Sequence, residues 1–162
     1  MERKTFAGMN CSVAQCLEVI GEWWTMLIIR DLVMGVRRFD EFQERLGISR
    51  NVLTQRLGRL IDDGIVEKTL YQDHPPRYEY RLTEKGRDLW PILTAMRHWG
   101  DRYAAPNGAR LLLRHRSCGH VAEPVLHCPE CGEDVTARDY TVEVGPGGDG
   151  ALLRGGRGTP AG

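Results

Sequence analysis

The sequence predicts an α+β fold: a helical N-terminal part, a β-hairpin, a closing helix, and then a small ribbon-like β segment. Three observations carry that expectation. Apolar residues recur every three to four positions up to residue 64, the period of an amphipathic helix. The period switches to two between residues 66 and 82, as in a half-buried strand. Three of the five cysteines then fall within residues 118–131.

The elements follow in order. Ser12 and Gln15, three residues apart, predict a capping box that opens a short helix to about Ile20, with Gly21 ending it. Trp24, Leu27, Ile28 and Leu32 mark a second helix over about 23–34, stopped by Gly35. Phe39, Phe42 and Leu46 mark a third over 39–46, closed by Gly47. Ser49 is an N-cap type residue ahead of a fourth helix over 50–63, whose apolar stripe is Leu53, Leu57, Leu60 and Ile61. Residues 66–72 and 77–82 alternate as the two arms of a hairpin. Asp73-His74-Pro75-Pro76 forms its tip, where proline is tolerated. Thr83 caps a last helix over about 84–104, in which Pro91 predicts a kink or a late start. No internal repeat is visible.

The chain of 162 residues divides into a domain at 1–104, a cysteine- and histidine-containing segment at 111–145, and a glycine-rich tail at 146–162 expected to be disordered. Twenty-two basic and 22 acidic residues exclude a globally basic nucleic-acid coat. No apolar run reaches the roughly 18 residues of a membrane span, and the opening MERKTFAGMNCS lacks an apolar core. A cytoplasmic protein without membrane contact is the expectation.

Helix–helix–helix–helix–strand–strand–helix is the order of a winged helix-turn-helix with flanking helices. Such a fold reads DNA with the exposed face of its second motif helix. At 100° per residue, the face of 50–63 opposite the leucine stripe holds Asn51, Gln55, Gly58, Arg59 and Asp62, with Arg50 and Arg56 flanking. Asn and Gln pair bidentately with adenine, Arg with guanine, and flanking Arg with phosphate. Charge is locally positive: six arginines face three acids between Val36 and Leu60. The DNA-binding set read from the sequence is Arg37, Arg38, Ser49, Arg50, Asn51, Thr54, Gln55, Arg56 and Arg59, with Lys68, His74 and Arg77 on the hairpin.

Several local motifs bear a family resemblance. They are Ile20-Gly21 with Trp24-Thr25, Arg30-Asp31-Leu32, Arg38-Phe39-Asp40-Glu41, Ile48-Ser49 leading into Val52-Leu53-Thr54-Gln55-Arg56-Leu57, Asp63-Gly64-Ile65-Val66, Pro75-Pro76-Arg77-Tyr78-Glu79-Tyr80 and Leu82-Thr83. From about Cys11 to Gly100 the chain resembles the HxlR-type family of bacterial winged helix-turn-helix regulators. The resemblance implies a homodimeric transcription factor on a palindromic or near-palindromic operator, with the first and last helices forming the dimer interface. Three positions depart from the family pattern: Ser12 stands where proline is usual, Glu22-Trp23 where Gly-Lys is common, and Gly58 where a basic residue is common. The last departure shifts the expected base readout toward Arg59.

Cys11 falls at the position of the family's N-terminal cysteine, which senses oxidants or electrophiles in some members. A thiol beside a helix N-terminus has its thiolate favoured by the dipole and the free N–H groups, so Cys11 is the redox-sensing candidate. Cys16, expected mid-helix, reads as core. In the C-terminal segment, His115-x-x-Cys118, nine residues, then Cys128-x-x-Cys131 has the spacing of a structural zinc ribbon. His120 and His127 are alternative fourth ligands, and a ribbon without metal or a Cys128–Cys131 disulfide are the alternatives to zinc. P-loop, dinucleotide-binding, serine-hydrolase and zinc-protease motifs are absent, so an enzyme is not expected. The competing function is a protein-interaction module that uses the winged helix and the ribbon without DNA.

Overall fold

The computed structural model describes residues 5–148 and divides into two compact units, Met1–Leu111 and Leu112–Gly162. Among the described residues the first contains every helix and the hairpin: α1 (Ser12–Ile20), α2 (Trp23–Val33), α3 (Phe39–Leu46), α4 (Arg50–Asp62), β1 (Val66–Gln72), β2 (Arg77–Leu82), α5 (Glu84–Arg87) and α6 (Trp90–Tyr103).

The helix boundaries follow from local chemistry, with one correction at the start. Ser12 and Gln15 do not form a capping box. Cys11 holds the N-cap position in extended conformation, without a side-chain bond. The Gln15 amide instead donates to the carbonyls of Phe6, Ala7 and Met9 at 3.0, 3.3 and 2.8 Å, folding residues 6–9 onto α1. Glutamine carries donors as well as an acceptor, and the preceding turn offers three carbonyls to it. Ser49 does cap α4, accepting from the Val52 N–H at 3.4 Å. Gly47 ends α3 in the left-handed region at φ 63°, which a side chain would strain. Thr83 caps α5, accepting from the Gly86 N–H at 3.1 Å. The predicted closing helix is split into α5 and α6. Pro91 lies in the first turn of α6, where its missing N–H costs nothing.

Ile28, Ile29 and Leu32 of α2 are fully buried at the centre of the core, against Phe42, Leu53, Leu57, Leu60, Ile65 and Val66. Phe42 meets Tyr80 edge to face, with ring centroids 6.5 Å apart. Cys16 and Trp24 pack against this cluster from its margin. The wholly buried Asp31 accepts from Arg30 Nε at 2.9 Å and from Arg45 Nε at 3.2 Å, so its charge is paired from both sides.

β1 and β2 are antiparallel, from Val66 opposite Leu82 to Leu70 opposite Tyr78, with a bulge before Gln72. Arg38 bridges to Glu79, and the Tyr80 N–H donates to the Arg37 carbonyl at 2.8 Å. This one-residue third strand ties the α2–α3 linker to the hairpin and is too short to leave a period in the sequence. The Gln72 amide clasps the hairpin tip, donating to the carbonyls of His74 and Pro75 at 3.1 and 3.3 Å.

A second apolar set lies outside the core. Val13 and Leu17 of α1, Trp23 and Leu27 of α2, and Ile92, Met96, Trp99 and Tyr103 of α6 are exposed, Trp23 by 90% and Trp99 by 61%. No helix among the described residues is long and apolar enough to cross a membrane.

In the second unit the expected β segment is reduced to two isolated bridges, Arg114 with Val121 and His127 with Asp134. No described residue of this unit is buried. The predicted disordered tail lies outside the described residues from 149 onward.

Candidate nucleic-acid interface

α4 turns its leucines inward and leaves a polar face outward, which with the hairpin and the start of α3 encloses a groove of about 750 Å³. Arg50, Thr54 and Gly58 line one wall, Lys68, Tyr71, Arg77 and Tyr78 the other, and Arg38 one end. Asn51 and Gln55, one step further round the helix, are exposed. The side chain that Gly58 lacks would meet nothing within 4 Å, so the groove is open there.

Aromatic rings seat the cations of this groove. Lys68 Nζ lies 3.8 Å from the centroid of Tyr78, Arg38 4.9 Å from Tyr71, and Arg50 5.1 Å from Phe39. Arg38 also lies 3.9 Å from the Glu79 carboxylate. Among the described residues, Arg50, Lys68 and Arg77 make no ion pair. Ser49 sits at the N-terminus of α4, where free N–H groups favour an anion. The Thr54 hydroxyl is turned to its own helix, donating to the Arg50 carbonyl at 2.9 Å. His74 is exposed at the hairpin tip.

Three arginines of the predicted set are occupied elsewhere. The Arg37 guanidinium caps α2, donating to the carbonyls of Leu32 at 2.6 Å and Val36 at 2.9 Å. Arg56 pairs with Glu22 at 3.0 Å, its side chain only 17% exposed. Arg59 donates to the Glu18 carbonyl at 3.2 Å and lies 3.5 Å from its carboxylate and 3.8 Å from that of Asp63. Arg56 and Arg59 thus sit on the flank of α4 turned to α1 and the α1–α2 corner, where the Arg59 of the expected base readout is already bonded within the chain. Glu22 and Glu18 lie dozens of residues upstream, so helix periodicity does not reveal those two pairings, whereas Asp63 stands at the i,i+4 spacing that periodicity does reveal. The ring platforms Tyr71 and Tyr78 escaped the sequence reading. Lys68 meets Tyr78 diagonally across the hairpin, a pairing that the strand register would have signalled.

Glu41 accepts the backbone N–H groups of Arg37 and Arg38 at 3.2 and 3.1 Å, and these bonds hold its carboxyl below the usual range. The start of α3, which forms one end of the groove, is fixed by this reach back. Burial raises the Tyr80 phenol behind the groove above its ordinary value, so it stays neutral.

Cys11 is half-buried at the N-cap of α1 and is a free thiol. In the second unit, His115 Nδ1 and Cys118 Sγ are 3.2 Å apart, and Cys128 and Cys131 form another pair. The two pairs are not gathered together: among the described residues no three His, Cys, Asp or Glu side chains form a metal-holding group.

Residues 19–108 match the family model described as HxlR-like helix-turn-helix. The chain belongs to the HxlR-like helix-turn-helix family. It is a DNA-binding transcriptional regulator, and its relatives are regulators rather than enzymes. This HxlR-like chain is 47% identical over 137 residues to the HTH-type transcriptional regulator Rv3095 of Mycobacterium tuberculosis, covering 84% of this chain and 87% of that one. It is 37% identical over 95 residues to YdeP of Bacillus subtilis, covering 58% and 74% respectively. Among solved structures, PA1607 superposes with a TM-score of 0.75 at 37% identity, covering 86% of this HxlR-like chain and 99% of that one. The redox regulator HypR in its oxidised form superposes with a TM-score of 0.55 at 38% identity, covering 59% and 99%.

Proposed function

We propose that two copies of the chain pair through α1 and α6 and place two α4–hairpin grooves on one palindromic or near-palindromic operator in the cytoplasm. The observation that carries this reading is the groove itself: a polar helix face beside a hairpin whose cations rest on aromatic rings. Asn51 and Gln55 read base edges in the major groove. Arg50, Lys68 and Arg77, with Arg38 and the Ser49 end of α4, hold phosphates, and the His74 tip reaches the neighbouring minor groove. The exposed apolar side chains of α1 and α6 support the pairing.

The test is binding of the purified chain to its own upstream DNA and to random duplex at two salt concentrations. Selective binding that weakens steeply with salt is expected. Lys68→Ala and Arg77→Ala weaken binding to both duplexes and flatten the salt slope. Asn51→Ala and Gln55→Ala reduce the preference between duplexes, by about 1–3 kcal/mol for each lost bidentate contact. Arg59→Ala leaves that preference unchanged. Binding that ignores salt and sequence would instead favour a protein-interaction module.

The regulatory signal we propose is an oxidant or electrophile acting at Cys11. Its place at the start of α1, in the element assigned to pairing, and the likeness to HypR support this. Diamide treatment should change DNA affinity of the wild type and leave Cys11→Ser unaffected. An equal response of both proteins would exclude Cys11.

A further inference from the structure

The second unit contains one loop built twice. Taking His115 and Cys128 as the first residue of each, four features recur at the same offsets. The first residue's N–H donates to the carbonyl five residues on: His115 to His120 at 2.9 Å, Cys128 to Glu133 at 2.8 Å. Its own carbonyl accepts from the glycine four residues on: from Gly119 and from Gly132, both at 2.8 Å. The residue seven positions on donates to the carbonyl two positions before: Ala122 to Leu113 at 3.1 Å, Val135 to Leu126 at 3.0 Å. The bridges Arg114–Val121 and His127–Asp134 complete the match. The sequence shows no repeat because the two loops share a backbone course and little composition.

What the loops do share is chemical. Each carries a potential metal ligand at its first position and a cysteine three residues later, followed by a glycine in the left-handed region, Gly119 at φ 72° and Gly132 at φ 76°. That turn brings the two side chains of a pair together, His115 Nδ1 to Cys118 Sγ at 3.2 Å. It also directs backbone N–H groups at sulfur: those of Glu130 and Cys131 bond the Cys128 thiol. Two such loops make two ligand pairs, and two pairs complete a tetrahedral set.

A second, independent observation is the missing core. No described residue from 112 to 148 is buried, and Val121, Val125, Leu126, Tyr140, Val142 and Val144 are exposed. A unit of this size with no fully buried residue among those described needs another source of folding energy, of which a structural metal is a common one.

We propose that His115, Cys118, Cys128 and Cys131 bind one zinc ion, which draws the two loops together and holds the unit folded. Three thiolates and one neutral imidazole suit zinc, which accepts tetrahedral sulfur and nitrogen ligands and closes the site against chemistry. Binding displaces the three thiol protons to solvent as each sulfur becomes a thiolate. His115 is the nitrogen ligand because its Nδ1 lies 3.2 Å from Cys118 Sγ. His127 directly precedes Cys128 in a bridged extended segment, where neighbouring side chains point to opposite faces.

The test uses the full chain, expressed without a histidine tag in zinc-supplemented medium and dialysed against a weak chelator. Elemental analysis should find about one zinc per chain, and X-ray absorption should find three sulfurs at about 2.3 Å and one nitrogen at about 2.0 Å. The double variant Cys128→Ser/Cys131→Ser and the single variant His115→Ala should lose the metal, while His120→Ala keeps it. Circular dichroism monitors the helices of residues 12–103 in each variant. If the double variant misfolds as a whole, removing zinc from the wild type with a strong chelator serves instead, and should increase protease cleavage beyond residue 111 alone. Wild type without bound metal, metal retained by the double variant, or a Cys128–Cys131 disulfide in the isolated protein would each overturn the proposal. Loss of metal from His120→Ala rather than His115→Ala would overturn the ligand assignment.

Discussion

Asp31 shows how much a single residue carries. Its carboxylate is fully buried, while Arg30 and Arg45, which pair with it, keep part of their side chains in water. Removing one arginine leaves the other in place. Removing both strands a charge in the core, so Arg30→Ala/Arg45→Ala should cost about 3–5 kcal/mol, read from urea unfolding, with each single variant costing clearly less. Glu41 gives a pH signature instead. Two backbone N–H groups lower its pKa in the folded chain, so its contribution is complete above the ordinary carboxylate pKa and is lost as pH falls through the lowered folded value. The melting temperatures of wild type and Glu41→Gln should therefore differ at pH 7 and converge in acid. The sequence showed which residue types lie near the groove but not which arginines are spoken for. Arg37, Arg56 and Arg59 look like Arg50 in a list of exposed positions. Only the folded chain brings the Leu32 carbonyl, Glu22 and Glu18 to them.

At the scale of elements, most of the fold was legible because helices and strands announce themselves by period. The four N-terminal helices and both strands stand within two residues of their expected ends, and the break before α6 follows from Pro91. The cap of α1 and the bridge at Arg38 were not legible, since each depends on a competing partner rather than a pattern. Two helix glycines make a sharper comparison. Gly58 faces open space in α4, and Gly58→Ala should stabilise the chain by about 0.5–1 kcal/mol through helix propensity. Gly86 in α5 lies against the Ile65 carbonyl, which a Cβ would strike, with Leu82 Cδ2 at 2.9 Å beside it. Gly86→Ala should destabilise by about 1–3 kcal/mol. Thermal unfolding of the two variants should shift in opposite directions.

For the molecule as a whole, the even balance of charge hides an uneven distribution. Acids neutralise arginines on the α1 side of α4, while on the groove side Arg50, Lys68 and Arg77 have no ion partner among the described residues. Neutral composition and a locally cationic groove are therefore compatible. The exposed apolar side chains carry the assembly prediction. Leu17→Glu in α1 and Trp99→Glu in α6 should shift the chain from dimer to monomer in sedimentation, with helix content retained. A monomer in the wild type, at concentrations where it binds DNA, would remove the proposed pairing.

The bonds from Arg59 to Glu18 in α1 and from Arg56 to Glu22 at the N-cap of α2 also tie α4 to the α1–α2 corner as one frame. If two copies pair through α1, the frame behaves as a pair of calipers. The angle at which the two α1 helices meet sets the gap between the two α4 helices, and only half-sites about one DNA turn apart, roughly 34 Å, are spanned without strain. A small rotation at the joint, of the kind that modification at Cys11 would impose, then mis-sets the gap without touching a residue that meets DNA. Cutting the frame with Arg56→Ala/Arg59→Ala should let the protein tolerate operators whose half-sites are spaced one base pair too far or too near.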